Sequence, residues 1–337
     1  MNTRFLTATF QRSSISVQKS QKTFVFMAAI LAVAIPALLT APDASADLLV
    51  SSVYTDEVKR YNETTGAFID TFASGGGLDI PEGLMFGPDG NLYVSSVGTD
   101  DVNRYNGITG AFINTFASGG GLSGPVGLVF GPDGNLYVSS YYTSDVKRYN
   151  GTTGAFIDTF ASGGGLSNPQ GLVFGPDGNL YLSSRSTGDV KRYNGTTGAF
   201  IDTFASGGGL SEPVGLVFGP DGNLYVSSFG SSDVKRYNGT TGTFIDTFAS
   251  GGGLSASGGL LFGPDNNLYV SSFGSSDVKR YNGTTGAFID TFASGGGLDG
   301  PTFLIFTPVP EPSSVALLGL GLGVLAVGKL WCWRRKS

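Results

Sequence analysis

Residues 127–170 read GLVFGPDGNLYVSSYYTSDVKRYNGTTGAFIDTFASGGGLSNPQ, and this stretch recurs almost letter for letter along the chain. Its opening tetrad begins at Gly83, Gly127, Gly171, Gly215 and Gly259, a period of 44 residues, and a degraded sixth copy follows at Phe303–Phe306. A fixed period of this length marks a repeat architecture. Each unit predicts four short strands: Gly127–Phe130, Asn135–Ser140, Asp145–Asn150 and Ala155–Phe160. They are rich in Val, Ile, Tyr and Phe and bounded by Gly, Asn, Asp and Pro. Asp133-Gly134 supplies a tight turn, since both residues tolerate positive φ. No sustained 3.6-residue period occurs inside the repeats, so no long helix is expected there.

Four antiparallel strands in a unit of this size are the pattern of a β-propeller blade. Leu48-Leu49-Val50-Ser51-Ser52 matches the second strand of the unit, and Phe303–Phe306 matches the first. Six copies of every strand are therefore present, with one blade shared between the two ends of the repeat region. The expected fold is an all-β, six-bladed propeller of four-stranded antiparallel blades, closed by pairing the C-terminal strand with the N-terminal blade. Six blades bury enough apolar side chains, at roughly 1.5–3 kcal/mol each, to need no disulfide. The single Cys332 allows no internal bridge.

Formal net charge is −6, but residues 47–307 hold 24 acidic and 12 basic residues. A surface this acidic excludes nucleic acid as a partner. The absence of histidine removes the commonest general base and metal ligand. Residues 1–46 read as a secretory signal: basic residues, an apolar run from Phe24 to Leu39, and the small-residue site Ala44-Ser45-Ala46, whose cleavage frees Asp47.

The repeat resembles the NHL and YVTN groups and the streptogramin-lyase-like propellers through P-x-G-L-x-F-G-P-D-G-N-L-Y-V (Pro125–Val138) and V-x-R-Y (Val146–Tyr149). The resemblance covers residues 47–307. It implies the propeller fold. Streptogramin-type lyases depend on histidine, so that activity does not carry over to this chain.

Residues 308–337 hold a second pattern. Val309-Pro310-Glu311-Pro312 precedes an apolar run, Ser314–Gly328, then Lys329, Trp331, Trp333 and the cluster Arg334-Arg335-Lys336. Physically this is a short membrane helix with interfacial tryptophans and cytoplasmic positive charge. In order and spacing it resembles a PEP-CTERM sorting signal. The resemblance implies an inner-membrane-anchored precursor, cleavage by an exosortase-type enzyme, and release to the cell surface or an extracellular polysaccharide matrix.

Chemistry-bearing patterns are sparse. The SGGG loops, such as Ser162–Gly165, lack the following helix that a phosphate cradle needs, and read as flexible crossovers between blades. The PDGN turns offer one acid each, too few for a calcium loop, so no metal site and no cofactor is expected. Differences among the copies concentrate in the loop after the second strand and the loop before the first, which propeller topology places on one face. There the candidate ligand-binding residues are Glu82, Tyr141, Tyr142, Asn168, Gln170, Arg185, Glu212, Phe229 and Phe273. Aromatic rings stack on sugars, and Arg, Gln and acids bond hydroxyls. The expected function is therefore a non-catalytic binding or structural propeller, its partner an exopolysaccharide or another envelope protein. The alternative is a lyase-like or metal-dependent, lactonase-like enzyme. Resemblance to six-bladed lactonases implies Glu82, Asn168 and Glu212 as its ligand set.

Overall fold

A computed structural model describes residues 46–308, and the segments on either side, with the signal and the tail helix expected there, lie outside the described residues. Twenty-four strands form six antiparallel sheets of four. Blade I takes β1 (Leu48–Ser52), β2 (Glu57–Tyr61) and β3 (Phe68–Ser74). Blade II follows as β4 (Pro81–Phe86), β5 (Leu92–Ser96), β6 (Asp101–Tyr105) and β7 (Phe112–Ser118). Blade III is β8 (Pro125–Phe130), β9 (Leu136–Ser140), β10 (Asp145–Tyr149) and β11 (Phe156–Ser162). Blade IV is β12 (Pro169–Phe174), β13 (Leu180–Ser184), β14 (Asp189–Tyr193) and β15 (Phe200–Ala205). Blade V is β16 (Pro213–Phe218), β17 (Leu224–Ser228), β18 (Asp233–Tyr237) and β19 (Phe244–Ala249). Blade VI is β20 (Ser257–Phe262), β21 (Leu268–Ser272), β22 (Asp277–Tyr281) and β23 (Phe288–Ser294). The last strand, β24 (Pro301–Phe306), returns to blade I and pairs with β1, matching Leu48 with Phe306 and Val50 with Leu304. The ring closes as the repeat count requires. Each first strand begins two residues earlier than its tetrad, at the proline or its equivalent.

The core lies between blades. Side chains alternate across a strand, so Leu136 and Val138 of β9 pack toward blade II while Tyr137 packs toward blade IV. Both faces of every second strand are covered, and all five residues of β9 are buried. Tyr137 meets Phe160 and Phe174 edge-on, at 4.8 and 5.2 Å between ring centres.

Polar ties join blade to blade. The Tyr149 hydroxyl donates to the Gly119 carbonyl of the preceding interblade loop at 2.9 Å, and Tyr61 makes the same bond to Gly295 across the closure at 3.0 Å. The paired serines of LYVSS divide the work. Ser139 Oγ accepts from Gly127 N (2.8 Å) and donates to the Gln170 carbonyl of the next blade (2.6 Å). Ser140 Oγ braces the interblade loop, accepting from Ser123 N and donating to its carbonyl. In the outermost strand Asp158 does not stand free at the edge; Arg148 grips both its oxygens, at 3.1 and 2.6 Å. At this exposure the pair is worth only about 0.2–1 kcal/mol, and its service is to hold β11 in register.

The SGGG loops are not slack. The three glycines Gly119, Gly120 and Gly121 all take positive φ, and the ring of Phe156 from the next blade lies directly on Gly120, whose added Cβ would meet it at 2.1 Å. In the PDGN turn, burial alone would raise the Asp133 carboxyl, but hydrogen bonds from Asn135 and Tyr137, with Arg148 nearby, outweigh it and hold the group below its ordinary value. The upper face carries the interblade loops and the links from second to third strands; the lower face carries the PDGN and NGTTG turns. Both ends of the described chain lie at the lower face, where Thr307 N donates to the Asp47 carbonyl at 2.8 Å.

A tight steric constraint sits at Gly154 of the NGTTG turn, where φ is +73° and a Cβ would stand 1.7 Å from the Phe116 carbonyl of blade II. Gly163 has φ +76° but open space around it. Gly154→Ala is expected to cost about 3–4 kcal/mol in chemical unfolding, and Gly163→Ala only the left-handed strain of about 1–2 kcal/mol. Equal losses would show that the carbonyl contact is not limiting.

Candidate functional site

The second residue of each first strand rings the upper mouth of the central channel: Glu82, Val126, Gln170, Val214, Gly258 and Thr302. A cavity of about 220 Å³ opens there. Its polar lining is Glu82, Gln170, Arg185 and Thr302; its apolar lining includes Val53, Phe229 and Phe273. Five of the nine predicted residues thus meet at one site. Below it the bore is apolar, lined by Leu84, Leu128, Leu172 and their equivalents around a second cavity of about 220 Å³. At the level of Gly83, Gly127, Gly171, Gly215 and Gly259, the sixth copy places Phe303.

An arc of side chains runs along the rim. Arg185 donates to Glu212 Oε2 from Nη2 at 2.7 Å and from Nε at 3.1 Å. The Arg185 guanidinium stands 4.7 Å over the Phe229 ring. Phe229 and Phe273 lie 5.7 Å apart, and Phe273 and Tyr54 again 5.7 Å apart. Arginine at this site is therefore fixed in place by an acid on one side and an aromatic face on the other.

Glu82 supplies the unusual electrostatics. Burial pushes its carboxyl up to about 7, against the lowering influence of the Thr302 hydroxyl and the Arg185 charge. Gln170 and Thr302 beside the same cavity are buried.

The remaining predicted residues stand apart from the cavity. Tyr141 and Tyr142 pack edge-on, 5.1 Å apart, with Tyr142 exposed. Asn168 braces loops, donating to the Tyr141 carbonyl at 3.1 Å and accepting from Ser186 Oγ at 2.6 Å. Glu212 is committed to Arg185. Asn168 and Glu212 both precede a proline in left-handed backbone, φ 51° and 49°, two residues before the position that rings the mouth. The lactonase-like set of Glu82, Asn168 and Glu212 is therefore not gathered around the cavity. Among the described residues, no three Asp, Glu, Cys or His side chains come together as a metal cluster. Sequence reasoning missed Val53 and Val214 as lining residues, because a lone valine in a β-rich repeat carries no functional signal.

Residues 308–336 match the model of the PEP-CTERM protein-sorting motif. The chain carries a PEP-CTERM tail. The PEP-CTERM tail indicates export, a membrane-anchored precursor sorted toward the cell surface, and exosortase-type processing. Among the described residues no helix is long and apolar enough to cross a membrane. No curated protein matches the sequence.

Solved structures share the fold. A nidogen–laminin complex contains a chain with TM-score 0.63 and 17% identity, the match covering 78% of this chain and 99% of that one. A protein of unknown function from Bacteroides caccae gives TM-score 0.61 at 14% identity, covering 79% and 100%. Catalytically inactive virginiamycin B lyase from Staphylococcus aureus, with quinupristin, gives TM-score 0.55 at 14% identity, covering 79% and 94%. The likeness to a streptogramin-lyase-like propeller thus holds at the level of fold, and the neighbours differ among themselves in function.

The raised Glu82 pKa makes a signed prediction. The folded state binds the Glu82 proton more tightly than the unfolded chain, so stability falls as pH rises from about 4.5 through 7. Glu82→Gln removes that loss. The variant is expected to exceed the parent by about 3 kcal/mol at pH 8 and to match it near pH 4 in chemical unfolding; a constant difference across that range would contradict the assignment.

Proposed function

We propose that the mature protein is an exported propeller that binds an extracellular polysaccharide at the upper channel mouth, in a binding rather than catalytic role. The observation that carries the reading is the arc Glu212–Arg185–Phe229–Phe273–Tyr54 beside the cavity of Glu82, Gln170 and Thr302. Concave sites with aromatic walls and a few fixed polar groups are built for ligands with both apolar faces and hydroxyls. The mouth is also where six near-identical blades become different from one another.

The division of the chain belongs to the same reading. Residues 1–46 leave as a signal after Ala46, residues 47–307 form the working propeller, and residues 308–337 are severed near Val309–Pro312. The intact mass of the protein from its native cell tests this. The expected mature species starts at Asp47, ends in that tetrad and lies outside the membrane, while Glu311→Ala keeps its tail. A native protein that retains residues 313–337 would overturn the processing.

Binding is tested by titrating the cell's own matrix polysaccharide into the native protein. Arg185→Ala and Phe229→Ala are expected to weaken binding about tenfold or more each. Ile108→Ala, on the lower face, leaves it unchanged. Equal affinity in all three sinks the site.

One observation favours a second reading. A carboxyl raised to about 7, as in Glu82, suits a general acid or base at neutral pH, and that is the feature a lyase-like enzyme at this mouth requires. Turnover of a bound lactone or glycan that Glu82→Gln abolishes without loss of binding would select it.

A further inference from the structure

Five of the six blades bury a lysine ammonium in the same place. Lys147 Nζ donates to Asp145 Oδ2 at 2.7 Å and to Thr159 Oγ1 at 3.1 Å. Lys191, Lys235 and Lys279 repeat both bonds, to Asp189 and Thr203, Asp233 and Thr247, and Asp277 and Thr291. Lys59 repeats them with Glu57 and Thr71. All five lysines are only 5% exposed. The ammonium also fills the space beside the preceding interblade loop: a Cβ on Gly121, Gly165, Gly209, Gly253 or Gly297 would lie 3.5–3.7 Å from Nζ. The fold thus encloses one compact monovalent cation, five times over, between a carboxylate, a hydroxyl and a glycine backbone.

Blade II keeps the enclosure and lacks the cation. Asp101 and Thr115 are in place, but Asn103 stands where the lysine should. Its Oδ1 accepts from Thr115 Oγ1 at 3.1 Å. Its Nδ2 is buried with no hydrogen-bond partner, in a residue that is 0% exposed. A Cβ on Gly77, the counterpart of Gly121, meets nothing within 4 Å. The space that Nζ fills elsewhere is open. Asp101 Oδ1 accepts from Thr99 at 2.9 Å, as Asp145 does from Thr143, and no basic side chain among the described residues bonds its second oxygen. Burial raises the Asp101 carboxyl and Asp100 adds to the rise, against the Thr99 hydrogen bond.

We propose that blade II binds a compact monovalent cation, of the size of ammonium or potassium, in the place of the missing lysine ammonium. The Asp101 carboxylate and the Thr115 hydroxyl hold it. The Asn103 amide joins them by turning over, which lets Nδ2 donate to Thr115 and presents Oδ1 to the cation; the two atoms are interchangeable in shape. A single carboxylate matches a single positive charge, whereas calcium asks for six or more oxygens, usually with several acids. The competing occupant is a water molecule, which accepts from Nδ2, donates to Asp101 and is indifferent to the salt.

Thermal unfolding of the full-length protein, in ammonium, potassium or tetramethylammonium chloride at one ionic strength, tests the site. The parent is expected to melt about 2–4 °C higher in saturating ammonium or potassium than in tetramethylammonium. The cation giving the larger, saturable shift is the preferred occupant. Asn103→Lys, which restores the residue that five blades already fold around, melts higher than the parent in tetramethylammonium and no longer distinguishes the salts. Asp101→Asn also loses the salt selectivity. If the parent and Asn103→Lys respond alike to the three salts, the site holds water and the proposal is wrong.

Discussion

Every blade rests on its neighbour through a buried tyrosine whose hydroxyl reaches a glycine carbonyl one blade back. Tyr149 and Gly119 are one such pair, and Tyr61 and Gly295 carry the same bond over the join between the first and last blades. A ring has no free edge to absorb error, so this contact must be met six times with the same geometry. That requirement explains the near-identity of the repeat better than any catalytic demand. It fixes the aromatic core between blades, the positive-φ glycines that receive the tyrosine, and the phenylalanine that lies over them.

Against that uniformity, departures stand out as places where the ring constraint is relaxed. Phe303 occupies a level of the channel that Gly83, Gly127, Gly171 and Gly215 otherwise line. Glu82 puts a carboxyl where other blades put valine, glutamine, glycine or threonine. Asn103 removes a cation from the only blade that also replaces the outer-strand aspartate, with Asn114 accepting from Arg104 in its place. Blade II has lost two ionic groups from one sheet while keeping its backbone register.

The architecture was legible because a period of 44 residues and the split copy at the chain's two ends are visible without coordinates. The upper face was legible in part for the same reason: variation among copies can be read by eye, and it located Glu82, Gln170, Arg185, Phe229 and Phe273. What could not be read was partnership across blades. Arg185 and Glu212 are 27 residues apart, and nothing local couples them. The two serines of LYVSS look alike in every copy, yet one ties blade to blade and the other braces a loop. Invariance conceals such roles, since a residue that never changes offers no contrast. The glycine loops misled in the opposite sense: composition suggests slackness, whereas a neighbouring ring and three left-handed residues hold each loop in one shape.

The position of β24 has a mechanical meaning. The chain leaves the propeller at the lower face, immediately after a strand paired with β1 along its length, while the variable rim faces the other way. A pull between the lower end and a ligand on the rim acts along the strand axis. It loads the hydrogen bonds between β24 and β1 together, in shear, instead of opening them one after another as a zipper. The same clasp that completes the ring therefore resists tension for as long as the precursor is held by its tail.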